Sequence, residues 1–330
     1  MFEEVMPNLY KLEIPLPNSP LKAINSYIIK AGGRNLIVDT GMNREECKTV
    51  MKSGLQELGI DLGETDFFIT HMHADHSGLV SELATDSSRV YCSQIDADVI
   101  VSNFNRTAQS WFSTMTQHAL KNGFPEEELQ RALSQHPGFK YSTTRSQLNF
   151  NIIKEGDIIN VGDHHFHCLE TPGHTRGHMC LYEPSKKILL SGDHVLYDIT
   201  PNISMWIDWG SPLHEYLASL DKIYQLDIEL VMPGHRRLFH NVRERIDELK
   251  HHHRVRANEV LNILKGSVQD AYQVSSQMTW DMTYKSWDQF PSPQKWFATG
   301  EAISHLKYLE QEQKIKREFD GSRYVFSPID

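Results

Sequence analysis

The chain predicts an α/β fold followed by a small α+β unit at its C-terminus, and three observations predict it. Apolar, β-branched runs alternate with a helical stripe through the first part of the chain. Four short apolar runs each lead into a histidine or aspartate, as strands do when a sheet presents functional groups from the loops at its ends. Beyond residue 250 the texture changes to helix, helix, helix and hairpin.

The elements follow in order. INSYIIKAGG and RNLIVDTG are two strand-like runs split by Gly32-Gly33, a hairpin signal, and the second ends at Asp39. From Arg44 to Leu58, Val50, Met51, Leu55 and Leu58 keep a helical spacing. DFFIT then delivers the chain directly into HMHADH. Residues 102–146 interrupt this rhythm with two helices around Gly123-Phe124-Pro125, the first carrying Trp111, Phe112, Met115 and Leu120. They read as a helical pair packed on the core, or as an insertion roofing a nearby site. Strands return with LNFNIIKEGDIINVG, HHFHCLETPGH, KKILLSGDH and ELVMPGH.

VRERIDELKHHHRVRANEVLNILKG is one long polar helix or two abutting ones. A short helix around DAYQVSSQM follows, then a helix with Ala302, Leu306 and Leu309 on one stripe and Thr299 as its N-cap. KIKREFDGSRYVF closes the chain as a hairpin turning at Asp320-Gly321. This is the outline of a winged helix, so residues 1–250 are expected to form a catalytic domain and residues 251–330 a winged-helix-like domain.

The bulk numbers exclude several classes. With 33 basic and 43 acidic residues the net charge is −10, which disfavours a broad nucleic-acid footprint. No apolar run approaches 18 residues, so no membrane span is expected. The first twenty residues hold acids and prolines where a signal peptide has a basic flank and an apolar core. Cys47, Cys92, Cys168 and Cys180 lie far apart with no C-x-x-C pair, and read as reduced, buried thiols of a cytoplasmic protein.

His71 and His73 sit two apart in an extended loop, so their imidazoles can point the same way, while Asp75 and His76 can face a second point nearby. Glycine precedes His174, Asp193 and His235, which lets the backbone turn sharply beside a ligand. Imidazole with carboxylate and no thiolate suits zinc, with iron or manganese as alternatives; calcium and magnesium prefer all-oxygen sites. His71, His73, Asp75, His76, His174, Asp193 and His235 make seven ligands, too many for one tetrahedral ion. They fit two divalent ions sharing a bridging carboxylate and a bridging water.

THMHADH, TPGHTRGH, SGDH and MPGH, in this order, resemble the metallo-β-lactamase superfamily, its glyoxalase II-like hydrolase branch above all, over roughly residues 8 to 245. The resemblance implies an αββα sandwich of two mixed sheets flanked by helices. It assigns His71, His73 and His174 to one metal, Asp75, His76 and His235 to the other, and Asp193 to the bridge. Flavodiiron members carry glutamate where this chain has His73, which disfavours a redox role. B1-type lactamases bind their second metal through cysteine where this chain offers Asp193, which disfavours antibiotic hydrolysis.

Around these ligands, Asp39 reads as holding a ligand loop and His178 as orienting a neighbour. His165, His167 and His251 to His253 read as solvated or packed. Tyr197, Trp206 and Trp209 follow Asp193 in a loop expected over the metals; with His194 they either pack or contact substrate, the Tyr197 hydroxyl steadying a developing oxyanion. A metal-bridging hydroxide is expected to attack a carbonyl carbon or a phosphorus, with Asp75 shuttling its proton.

The expected reaction is hydrolysis of a thioester, ester or lactone of a small acyl substrate. A core of this kind with a winged tail also resembles the lactamase-like endoribonucleases that cut single-stranded RNA. The last 80 residues, however, carry ten basic and ten acidic side chains, where a nucleic-acid grip should be basic. A metal-sensing DNA-binding regulator is disfavoured by the acid-rich helix EAISHLKYLEQEQ. A dimer or packing role for the tail, with a homodimer as the partner, is the expectation that remains.

Overall fold

Alternating side chains along each strand sort the apolar residues between the two faces of a sheet. In the computed structural model, which describes residues 2–102, 108–141, 148–208 and 210–329, this alternation builds a sandwich of two sheets. Among the described residues the first sheet has seven strands in chain order: β1 (Phe2–Met6), β2 (Leu9–Pro15), β3 (Ala23–Ile29), β4 (Asn35–Val38), β5 (Thr65–Phe68), β6 (Val90–Ser93) and β7 (Phe150–Ile153). β1 to β4 are antiparallel neighbours and β4 to β7 are parallel.

Parallel pairs need crossovers. These are α1 (Glu45–Leu58) after β4, the short α2 (Ala74–Ser77) and α3 (Val80–Leu83) after β5, and α4 (Gln94–Ser102) after β6. The helices α5 (Ala108–Lys121), α6 (Glu126–Gln135) and α7 (Pro137–Lys140) are inserted before β7.

The second sheet runs β12-β11-β10-β9-β8, from β8 (Ile158–Val161), β9 (His164–Glu170), β10 (Met179–Glu183) and β11 (Ile188–Gly192) to β12 (Leu230–Pro233). α8 (Pro212–Tyr224) crosses between the parallel strands β11 and β12. Leu36, Val38 and Phe68 of the first sheet meet Phe166, Cys168, Met179 and Leu181 of the second in an apolar inner layer. On the outer face of the first sheet, Ile37 and Phe67 pack with Cys47, Met51 and Leu55 of α1. On the outer face of the second, Cys180, Tyr182, Leu189 and Val231 are covered by Leu213, Tyr216 and Leu220 of α8.

The C-terminal unit comprises α9 (Val242–Leu264), α10 (Ala271–Gln277), α11 (Ser292–Gln311) and the hairpin of β13 (Ile315–Phe319) and β14 (Tyr324–Pro328). α9 runs unbroken through residue 250. Its first half gives Val242, Ile246 and Leu249 to the core over the second sheet, and its second half gives Ala257, Val260 and Leu264 to a core shared with α10 and α11.

One sequence reading needs correction. Thr299 is not an N-cap: α11 begins at Ser292 with proline in its first turn, and Thr299 lies buried within it, its hydroxyl donating to the Lys295 carbonyl at 2.8 Å. In α5 the inner positions are Met115 and Ala119, while Leu120 is 37% exposed; the Trp111 and Phe112 side chains lie outside the described residues. The inserted helices gather Met115, Phe124, Leu129 and Leu133 around Trp296 of α11, which joins them to the C-terminal unit. No helix among the described residues is long and apolar enough to cross a membrane.

Candidate metal centre

Chain direction delivers the seven candidate ligands to one end of the sandwich. His71, His73, Asp75 and His76 follow β5, His174 lies between β9 and β10, Asp193 follows β11 and His235 follows β12. The glycines before Asp193 and His235 are needed there. Gly192 has φ +48°, and a Cβ on it would lie 2.7 Å from His178 Nε2; a Cβ on Gly234 would lie 2.7 Å from Asp193 Oδ1.

The ligand atoms converge in overlapping groups: His71 with His73 and His174, His71 with His76 and Asp193, and Asp75 with His76 and His235. His73 Nδ1 lies 3.0 Å from both His71 Nε2 and His174 Nε2. Asp193 Oδ1 is 3.5 Å from His76 Nε2, and its Oδ2 is 3.6 Å from His174 Nε2 and 3.5 Å from His235 Nε2. Asp75 Oδ2 is 3.4 Å from His235 Nε2. A tetrahedron with ~2.1 Å metal–nitrogen bonds has edges of about 3.4 Å, so these separations are those of ligands sharing an ion. Asp193 faces ligands of both outer groups.

The outer nitrogens fix the tautomers. His76 Nδ1 donates to Asp39 Oδ2 at 2.7 Å, His174 Nδ1 to the Asn202 carbonyl at 2.8 Å and His235 Nδ1 to the Ala23 carbonyl at 2.7 Å. The Thr70 hydroxyl donates to Asp39 at 2.8 Å, so it accepts from His71 Nδ1 at 3.0 Å. With these protons outside, the Nε2 lone pairs all point inward, as outer partners arrange in metal sites. His76 Nε2, His235 Nε2 and Asp193 Oδ1 are buried without a hydrogen-bond partner, a costly state that a divalent cation relieves. The donor set of imidazole and carboxylate therefore fits divalent first-row metals.

Titration separates the two groups. Burial, reinforced by neighbouring imidazoles, pushes His71 well below the usual histidine range and His73 down to about 3. Burial also lowers His174. These three stay neutral, as ligands must. Burial opposes ionisation of Asp75 and Asp193, but the facing histidines outweigh it and hold both carboxyls below their ordinary value. Around His235 and His76 the carboxylates outweigh burial, raising His235 to about 10 and His76 well above its usual range. The carboxylates around the second group thus demand a cation.

The supporting residues divide into those the sequence named and those it did not. Asp39 accepts from the Thr70 amide as well as its hydroxyl and holds His76. His178 accepts the Asp193 amide at 3.1 Å and is held by Thr171 at 2.8 Å. Asp96 carries no motif, yet it accepts the Met72 amide at 2.9 Å, the Thr175 hydroxyl at 2.6 Å and the Gly177 amide at 3.0 Å. It ties the HMHADH loop to the TPGHTRGH loop.

The three proposed substrate contacts are engaged in packing. Tyr197 lies on Phe239 with Arg237 over its ring, at centroid distances of 5.0 and 4.2 Å. Trp206 stacks on Trp296 with centroids 3.5 Å apart. His194 is fully buried, edge-on to Tyr216. Trp209 lies outside the described residues.

A model of the metallo-beta-lactamase superfamily matches residues 20–88 and 109–235, the stretch that carries all seven candidate ligands. The chain belongs to this superfamily. It is 28% identical over 225 residues to acyl-coenzyme A thioesterase MBLAC2 of Homo sapiens, covering 64% of this chain and 72% of that one. It is 26% identical over 313 residues to "Probable metallo-hydrolase YqjP" of Bacillus subtilis, covering 92% of each. Among solved structures, a metallo-beta-lactamase family protein from Thermus thermophilus superposes with a TM-score of 0.80 at 27% identity, covering 98% of this chain and 100% of that one. The superfamily member at hand is thus a metal-dependent hydrolase.

Proposed function

We propose that this hydrolase holds two divalent ions, zinc foremost, and cleaves the thioester bond of a small acyl substrate. The observation that carries the dinuclear reading is Asp193, whose two oxygens face His76 on one side and His174 and His235 on the other. His71, His73 and His174 hold one ion, and Asp75, His76 and His235 the other. Bound there, the ions supply a Lewis acid for the substrate carbonyl and a water acidic enough to attack near neutral pH. Asp75, kept ionised by His76 and His235, offers an acceptor for the proton that the attacking water releases. The thioester is favoured over ester and lactone by the resemblance to the acyl-coenzyme A thioesterases. Residues 1–250 carry this chemistry and residues 251–330 form the supporting unit.

Metal analysis followed by a panel of acyl-coenzyme A thioesters, lactones, a phosphodiester chromogen and single-stranded RNA tests this reading. Two ions per chain and preferred thioester turnover are expected. His71→Ala should lose activity by more than the roughly 100-fold that removal of an outer partner costs. A single ion at full occupancy would refute the dinuclear centre, and RNA cleavage abolished by His71→Ala would replace the substrate class.

A further inference from the structure

A line of partly buried polar contacts joins the C-terminal helices to one candidate metal ligand. The His174 Nδ1–H donates to the Asn202 carbonyl at 2.8 Å, and the Asn202 side chain donates through Nδ2 to Glu301 Oε2 at 3.1 Å. Glu301, on α11, faces Arg256 of α9, whose Nε and Nη2 lie 3.5 Å from Oε1. Arg256 is 6% exposed and is itself fixed, Nη1 donating to the Thr279 carbonyl at 2.6 Å and to Glu259 at 2.7 Å. The Asn202 loop is pinned to the same helix twice more. The Met205 amide donates to the Gly300 carbonyl at 3.1 Å, and Trp206 lies so close over Gly300 that a Cβ there would come within 2.6 Å of its ring.

Desolvating a glutamate and an arginine is costly, and an apolar pair of similar volume would pack α9 against α11 at least as well. The carboxylate adds a fixed acceptor for the Asn202 amide. With that side chain held, the adjoining peptide is held too, and its carbonyl is aimed at His174 Nδ1. This sets the ring's orientation and keeps the Nε2 lone pair directed inward.

We propose that Glu301 is a positioning residue for the metal centre: through Asn202 it fixes the His174 imidazole, so that the C-terminal unit sets the affinity of the ion held by His71, His73 and His174. This rests on the dinuclear reading above. The ion held by Asp75, His76 and His235 meets this path only through the shared Asp193 and is affected less.

The test compares full-length wild type, Glu301→Ala, Glu301→Gln and Glu128→Ala, each loaded with cobalt(II) and titrated with a chelator while visible absorption and metal content are followed. Glu301→Ala is expected to release one of its two ions at about 10- to 100-fold weaker affinity, with the other affected much less. Glu301→Gln keeps an amide oxygen for Asn202 and should restore most of that affinity. Glu128→Ala, on α6, removes the partner of Lys295 on α11, 2.6 Å away, and should lower the melting temperature while both ions bind as in wild type. The proposal is overturned if Glu301→Ala binds both ions normally, if it weakens both equally, or if Glu128→Ala reproduces the loss. Wild type that binds fewer than two ions would overturn the dinuclear reading, and this proposal with it.

Discussion

At the scale of the residue, four candidate histidine ligands, His71, His76, His174 and His235, depend on what their outer nitrogens touch, and the loops depend on groups that touch no candidate ligand at all. Asp96 shows this most sharply. Asp96→Ala leaves the Met72 and Gly177 amides buried without their acceptor, costing about 1–3 kcal/mol for each. It also frees the two ligand loops from one another, so metal affinity should fall about 10- to 100-fold. Calorimetric metal titration beside thermal unfolding checks both; a lowered melting temperature with unchanged metal affinity would confine Asp96 to a structural role. The convergence of the candidate ligands could be read from the sequence because their residue types and their places after apolar runs are visible there. Asp39 and His178 could be read because they stand beside those motifs. Asp96, Asn202 and Glu301 could not, since their partners come from distant parts of the chain and only the fold brings them together.

At the scale of the element, legibility follows how clearly one face differs from the other. The strands and α1 each bury one side, so period 2 and the helical stripe show in the residues. α11 is buried on almost every side, from Lys295 and Trp296 through Thr299, Gly300, Ile303 and His305, so its first turns offer no stripe and the sequence reading starts it too late. The inserted helices illustrate the same limit. Their apolar residues were visible, but not that their partner would be Trp296, far along the chain. Phe124 is the hinge of that contact, 2% exposed, with its ring 5.3 Å from Tyr272 and 5.7 Å from Trp296. Phe124→Ala should destabilise the protein by about 3–5 kcal/mol in urea unfolding. Metal content should stay at the wild-type value, because no ligand belongs to this cluster. Loss of metal in the folded variant would show instead that the insertion helps to hold the centre.

At the scale of the whole molecule, buried histidines outside the centre give the fold a sensitivity to acid. His118, His253 and His305 are 7%, 2% and 0% exposed. Burial pushes His118 down to about 4 and His305 down to about 3, and burial beside His305 holds His253 well below its usual value. In the unfolded chain each titrates near 6.5. Between that value and pH 4 the unfolded state therefore binds more protons than the folded one, so stability is greatest above the window and falls as the pH is lowered through it. Each such histidine contributes a slope of ~1.4 kcal/mol per pH unit, or about 4 for the three together, against a total stability of roughly 5–15 kcal/mol. Chelator-treated protein should accordingly lose about 5 kcal/mol of stability to these three between pH 6.5 and 5, read as the urea midpoint at stepped pH. With the metal removed the histidines of the centre titrate too, so the share of His118 and His305 is read from their variants. His118→Gln and His305→Gln should each flatten the dependence by about one proton, since glutamine takes up no charge on unfolding. Slopes that stay parallel to wild type would mean that these imidazoles are solvated or already protonated in the folded state, and that its acid limit is set elsewhere.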